Sequence, residues 1–335
     1  MQITIKDVAR MAKVSVATAS MAINGKDGVN EKTRLKVLDA AQKLDYHPNH
    51  FAKSLIANRS LAIGLIVTDI TNPYFGAIVK NIQKEVENIG YDLLLGISND
   101  KLENEKKSTE YFLSRNVEGL IIVPAHVHEK EIELSHLYNL KRLGIPFVFI
   151  TTYYKGIPGD FVMTDLEKGS YELTKYLIKN GNKKIYFISG YKELLLSSLR
   201  IKGYKKAYEE FNLAYSDEWI IESYPDFING YNVTKKIIEK DIPEAIITVN
   251  DLLAIGALKC LKDNGIKVPD EVSVAGYDDL LFAAIAETPL TTVRQPIEDI
   301  CKNSVRILME RINQQNSLEN RMFLEPELVI RKSTR

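Results

Sequence analysis

The sequence predicts an α/β protein in which an all-α helix-turn-helix head precedes a two-lobed core of doubly wound parallel sheets. Three observations carry this. Residues Thr4 to Asn24, TIKDVARMAKVSVATASMAIN, contain two short runs of helical apolar spacing separated by a tight turn. Beyond Arg59 the pattern changes to short apolar runs alternating with amphipathic segments, the signature of βα units. Charge is unevenly placed: the chain has 44 Lys or Arg and 44 Asp or Glu, yet its first sixty residues hold ten of the former and five of the latter. The head is therefore +5 and the remainder −5, which suits phosphate contact at one end.

Within the head, Thr4 with Asp7 three residues on reads as a capping box, and Val8, Ala9 and Ala12 share one face of the helix it starts. Lys13-Val14 forms the turn. Ser15 is the N-cap of a second helix with Ala19, Ala22 and Ile23 as its buried stripe, ending at Asn24-Gly25. Small residues on both inner faces let the helices cross closely, the arrangement that offers a second helix to the DNA major groove. Val16, Ala17 and Met21 are left on its outer face. Asn30 caps a third helix running to Leu44, with Leu35, Leu38, Ala41 and Leu44 facing the core.

The core reads as strands at Leu61 to Val67, Asp92 to Ile97, Gly119 to Val123 and Pro146 to Ile150, with helices at Tyr74 to Ile89, Glu103 to Arg115 and Glu129 to Leu143. A second series starts at Met163: helix Lys168 to Lys179, strand Lys184 to Ser189, helix Leu195 to Phe211, strand Trp219 to Glu222, helix Gly230 to Lys240. Strand Ala245 to Val249, helix Leu252 to Asp263 and strand Val272 to Ala275 complete it. Residues 1–47 are thus the head, 48–60 a hinge or linker, and 61–335 the core. Lobe 1 is expected over about 61–160 plus 291–322, and lobe 2 over about 161–290 plus 323–335. Ligands in such folds bind beside the carboxyl ends of the strands, here in the cleft between lobes.

Several function classes are disfavoured. Cys260 and Cys301 lie in helical sequence and are expected to be reduced, buried thiols. No apolar run approaches membrane length and no leader precedes the first helix, so a cytoplasmic protein without membrane association is expected. No GxGxxG or GxxxxGKS/T loop follows a strand and there is no GxSxG elbow, so neither an enzyme nor a cofactor is expected. His126-x-His128 has no third ligand nearby in sequence, and no metal site is expected.

Three motifs in fixed order carry a family resemblance: DVA-x-x-A-x-VS-x-x-T-x-S-x-x-(I)N, then T-R-x-x-V at Thr33 to Val37, then Y-x-PN-x-x-A-x-x-L from Tyr46 to Leu55. Together they resemble the lactose-repressor (LacI/GalR) family of bacterial transcription regulators. Later stretches match the same family: Arg200-x-x-Gly203-Tyr204, Asn250-Asp251-x-x-Ala254-x-Gly256-Ala257, Val274-Ala-Gly-Tyr-Asp278-Asp279, Leu290-Thr-Thr-Val and Glu327-Leu-Val-Ile-Arg331-x-Ser-Thr. The resemblance implies a periplasmic-binding-protein-like core that senses a small molecule. It places Leu55 in a hinge that becomes helical on DNA and wedges a leucine into the minor groove. It also places Tyr74, Phe75, Arg200, Phe227, Asn250 and Asp278 against the effector. Those residues suit a small polyhydroxylated ligand, and a planar base could use the same set. Tyr153, Tyr154 and Tyr191 are further candidates near the same mouth.

On DNA, base and groove contact is expected from Val16, Ala17, Met21 and Leu55, and phosphate contact from Thr4, Ser15, Thr18, Ser20, Asn24 and Asn30. Two departures from the family pattern matter. Thr151 stands at the end of the fourth strand, where relatives commonly have Asp, which weakens any specific sugar assignment. Met21 stands where many relatives have Arg, so readout leans on thymine methyls and DNA shape. One small head makes too few contacts for tight specific binding, so a homodimer on a pseudo-palindromic, double-stranded operator is expected. The resemblance puts its interface on the Tyr74 to Val86 and Leu252 to Leu261 helices. The function expected is a repressor controlled by a sugar-like effector. The alternatives are a purine-like ligand or a phosphoprotein corepressor and, at greater distance, a solute-binding transport receptor.

Overall fold

The computed structural model describes residues 3–23, 25, 27–46, 59–125, 133–315 and 318–335. It forms two compact units, Met1–Ser60 and Leu61–Arg335. In the first unit, α1 (Ile5–Ala12), α2 (Val16–Ile23) and α3 (Glu31–Lys43) enclose a core of Val8, Ala9, Ala19, Ala22, Val37 and Ala40. The Asp7 carboxylate accepts from the Thr4 N–H at 3.0 Å and the Thr4 hydroxyl at 2.7 Å, the capping box the sequence predicts. Lys13 ends α1 with a left-handed φ of 55°, and the Val14 N–H returns to the Ala9 carbonyl.

The third helix turns a different face inward from the one expected. Val37 and Ala40 are buried, whereas Leu35 is 59% exposed and Leu38 44%. Residues 37, 40, 41 and 44 follow the i, i+3, i+4, i+7 spacing that holds one face. Uniform steps of three from Leu35 lag by about 60° each and drift around the helix.

The second unit is two-lobed. The larger sheet has the order β11-β5-β4-β3-β1-β2, all parallel: β1 (Ala62–Val67), β2 (Asp92–Ile97), β3 (Gly119–Ile122), β4 (Phe147–Ile150), β5 (Asp160–Thr164) and β11 (Arg321–Leu324). Alternate residues of β1 face opposite ways. Ile63, Leu65 and Val67 join Ile78, Ile82 and Val86 of α4 (Pro73–Asn88) and Ile300 and Leu308 of α12 (Ile297–Ile312). Ala62 and Ile66 join the other face with Phe112 of α5 (Leu102–Ser114) and Leu137 of α6 (Ser135–Arg142). The smaller sheet is parallel with the order β7-β6-β8-β9: β6 (Ile185–Ser189), β7 (Ile220–Glu222), β8 (Ala245–Thr248) and β9 (Ser273–Ala275). Around it lie α7 (Leu166–Lys179), α8 (Leu195–Glu210), α9 (Phe227–Lys240) and α10 (Asp251–Asp263), with the short α11 (Leu281–Ile285) following β9.

The sequence-based lobe boundaries cut through β5 and β11, which both lie wholly in the larger sheet. β5, α11 and α12 were not expected as elements. β5 is fully buried and offers no alternation to read. The lobes are stitched where the chain passes from one sheet to the other, around an antiparallel pair, β10 (Thr292–Arg294) and β12 (Glu327–Val329). Asp279 fastens this stitch, accepting from Arg294 Nε at 2.7 Å and Arg331 Nη2 at 2.5 Å. Among the described residues no helix is long and apolar enough to cross a membrane.

Candidate functional site

The head presents one end of α2. Val16 is 43% exposed and Ala17 beside it is exposed. Met21 is only half-buried and its ε-methyl leans back over Gly28, 3.1 Å from where a β-carbon on that glycine would sit. It is thus partly withdrawn from the outer face the sequence assigns it. Gly28 has a φ of +98°, and its missing side chain makes room for that methyl.

The candidate phosphate ligands are mostly helix caps. Ser15 Oγ accepts from the Thr18 N–H at 3.0 Å and pairs with the Thr18 hydroxyl at 2.8 Å. Asn30 Oδ1 accepts from the Thr33 N–H at 2.8 Å, leaving its amide as donor. The Thr4 hydroxyl already donates to Asp7, so it has no proton left for a phosphate oxygen. Ser20 is half-buried on α2. Asn24, Leu55, His126 and His128 lie outside the described residues.

Between the lobes lies a cavity of about 400 Å³. Of the six effector residues expected, Tyr74, Phe75, Arg200, Asn250 and Asp278 line it. Phe227 does not. It is the first residue of α9 and 42% exposed, and Tyr224, in the turn before that helix, lines the cavity instead. Tyr191 and Thr151 also line it, whereas Tyr153 and Tyr154 belong to a second cavity of about 350 Å³.

The first cavity has a polar end built around Gln295, which sequence reasoning missed. Gln295 Nε2 donates to Asp278 Oδ1 at 2.7 Å, while its Oε1 accepts from the Thr164 hydroxyl at 2.8 Å and the Tyr74 hydroxyl at 3.2 Å. One buried amide therefore ties Tyr74 on α4 and Thr164 at the end of β5 to Asp278 beyond β9. The only signal for it was its place directly after the Thr-Thr-Val-Arg stretch of β10.

Arg200 enters the cavity from α8. The helix sits tightly on α7 because Gly203 lacks a side chain: a β-carbon there would collide with the Glu167 carbonyl. Tyr204 locks the same turn, donating its hydroxyl to the Ile185 carbonyl at 2.8 Å. The Arg200 guanidinium lies 4.2 Å from the centroid of the Tyr277 ring, and its Nε is buried without a hydrogen-bond partner among the described residues. Among the described residues Arg200 is the one cation that lines the cavity, and its guanidinium is the charged donor a ligand acceptor there would meet.

Asp278 sits at a φ of 110° and is buried. Burial pushes its carboxyl up to about 7, while the Arg200 charge and the Gln295 amide pull the other way. Burial likewise holds the Tyr74 phenol well above its ordinary range. Asn250 is largely occupied: its Oδ1 caps α10 through the Leu253 N–H at 3.0 Å, and its Nδ2 donates to the Pro225 carbonyl at 2.9 Å. It shapes the wall as much as it offers a contact. Among the described residues, Asp69, Asp100, Asp226 and Asp278 line the cavity against the single Arg200. That balance favours an uncharged ligand rich in N–H or O–H donors and disfavours a phosphorylated one.

In comparison with known proteins, residues 4–49 match the family model for bacterial regulatory proteins, lacI family, and residues 174–334 match a periplasmic binding protein-like domain. Over 334 residues the chain is 34% identical to the HTH-type transcriptional repressor PurR of Photobacterium profundum, covering 99% of this chain and 98% of that protein. The lac repressor dimer bound to operator and the anti-inducer ONPF superimposes with a TM-score of 0.83 at 25% identity, covering 100% of this chain and 99% of the other. A transcriptional regulator CelR–cellobiose complex does so with a TM-score of 0.74 at 26% identity, covering 99% and 100%.

Proposed function

From the premise that the chain belongs to the lacI family of bacterial regulatory proteins and is a DNA-binding transcriptional repressor, we propose that it grips a pseudo-palindromic operator as a homodimer under the control of a purine-like effector held between the lobes. The sugar-like effector that the sequence puts first gives way to its purine-like alternative. Two things support this: the name PurR carried by relatives that match over nearly the whole chain, and the cavity's chemistry. Tyr74, Phe75 and Tyr224 supply ring faces for a planar heterocycle, and Thr151 leaves β4 without the carboxylate that would hold a sugar hydroxyl.

The observation that carries the reading is the polar end of the cavity. Asp278 accepts from ring N–H or amino groups, the Arg200 guanidinium donates to a ring nitrogen or carbonyl, and Gln295 holds both lobes to the same carboxylate. A ligand taken by Asp278 and Arg200 against Tyr74 favours one lobe arrangement over another. That differential is all a ligand needs to shift the population of DNA-competent dimers. DNA in turn alters effector affinity by the same factor.

For the dimer, the faces of α4 and α10 named from the sequence turn much of their apolar surface inward. Among the exposed apolar residues are Ile228 on α9 (66%), Leu281 (72%) and Ile285 (66%) on α11, and Leu95 (42%) on the edge strand β2. These support an interface along α9, α11 and the β2 edge. A cytoplasmic location accords with such a role.

A thermal-shift screen of purines, pyrimidines, mono- and disaccharides tests the effector reading. At least one purine should raise Tm with a concentration dependence that saturates. Stabilisation by a sugar and by no purine would overturn it.

A further inference from the structure

We propose that the effector site has two chambers and that its ligand is a two-part molecule, a purine-like ring bearing an uncharged hydroxylated group, so that a nucleoside binds more tightly than its free base. This rests on the purine-like reading of the first chamber. The second cavity, about 350 Å³, shares Leu194 and Leu196 with the first, so the two cavities lie side by side with these leucines between them. Both chambers take walls from both lobes. Thr151 lines the first and Thr152 the second, and the left-handed φ of 67° at Thr151 turns the chain at that point. A ligand that reaches past these leucines into both cavities would touch each lobe twice, which strengthens its grip on the lobe arrangement.

The two chambers differ in chemistry. The first ends in Asp278, Arg200 and Gln295, groups that read the edge of a heterocycle. The second offers Tyr138, Tyr153 and the Thr152 hydroxyl, ring faces and hydroxyls that suit the C–H and O–H surfaces of a pentose. Tyr153 is held by stacking on Phe161 at 4.5 Å and 13° between planes. The Tyr154 hydroxyl is committed to the buried Glu105 carboxylate at 2.8 Å, so that residue contributes its ring alone. The first chamber sets four carboxylates against Arg200 and the second sets Glu193 against Lys155, so neither offers a phosphate a net positive charge, which disfavours a nucleotide and leaves the nucleoside.

Leu195 lines only the second chamber and Tyr138 there is 56% exposed, so both can be changed without touching the first. Calorimetry on the full-length protein would compare adenine, guanine and hypoxanthine with adenosine, guanosine and inosine. At least one nucleoside should bind about tenfold more tightly than its base, about 1.4 kcal/mol. Leu195→Trp, which fills the second chamber, should erase that advantage while base affinity stays within about twofold. Tyr138→Ala should reduce it several-fold, and serves alone if Leu195→Trp lowers Tm. Equal or tighter binding of the free base, or equal losses for base and nucleoside in both variants, overturns the two-chamber site and leaves the purine reading standing. Failure of bases and nucleosides alike overturns both.

Discussion

In the head, three of the polar side chains expected to meet DNA bond within one helical turn: Ser15 to Thr18, Asn30 to Thr33, Thr4 to Asp7. In the cavity, Tyr74 meets Gln295 across 221 residues of sequence and Thr164 meets it across 131. On the proposed reading the head carries its base-reading residues Val16 and Ala17 exposed on top of a core of small apolar groups, where they can change with little cost to folding. The cavity makes its recognition residues part of what holds two lobes together, so a change there is felt by ligand and fold alike. If the proposed sites hold, readout can diversify at Val16, Ala17 and Met21 while the sensing end at Arg200, Asp278 and Gln295 stays tied to the architecture.

The sharpest way to break this comparison is Arg200→Ala. It removes the unanswered donor and the charge facing Asp278, and effector affinity should fall about a hundredfold, about 2.7 kcal/mol, by calorimetry. Unchanged affinity would place the effector elsewhere. Next, Met21→Arg gives the head a group able to bond a guanine edge, and should move base preference at one operator position by about 1–3 kcal/mol. Selection from randomised duplexes that returns the same consensus for both proteins would deny Met21 a place in readout.

Asp278→Asn sharpens the contrast through pH. Its folded pKa is raised to about 7, so its contribution to stability is fully present below about 4, the unfolded value, and is lost as pH rises through 7. A purine donating to the ionised carboxylate should therefore bind more tightly as pH rises to about 7 and then level off, with proton release; the Asn variant should show neither. Smaller still is Ser15→Ala, which removes the cap of α2 and should cost about 1 kcal/mol of head stability by local hydrogen exchange, with effector affinity unchanged. Least of all, Leu38→Lys should stay within about 0.5 kcal/mol because that leucine faces solvent, while Val37→Ala opens the core and costs more.

The same contrast explains what could be read in advance. The helix starts at Thr4, Ser15 and Asn30 were visible because capping is a contact over three residues. The alternation of strands and helices was visible because burial imposes a period. Leu35 and Leu38 misled because α3 packs a face rotated from theirs, and at Ala-rich crossings the larger residue is not always the buried one. Lobe boundaries were misplaced because β5 and β11 pair with a sheet whose other strands are distant in sequence. All six effector positions came from the family resemblance and not from periodicity, and all but Phe227 line the cavity. Gln295 and Tyr224 escaped because nothing local marks an amide or a tyrosine as pointing into a cleft assembled by the fold.

The central claim is that the cavity and the head are two ends of one switch. It is tested most directly by anisotropy titration of the full-length protein against a palindromic duplex selected from a randomised pool, at fixed salt, with and without each purine and nucleoside. At least one of them should shift the duplex Kd by about tenfold, and the duplex should shift that compound's affinity by the same factor. A duplex Kd indifferent to every compound that binds the cavity would contradict the account.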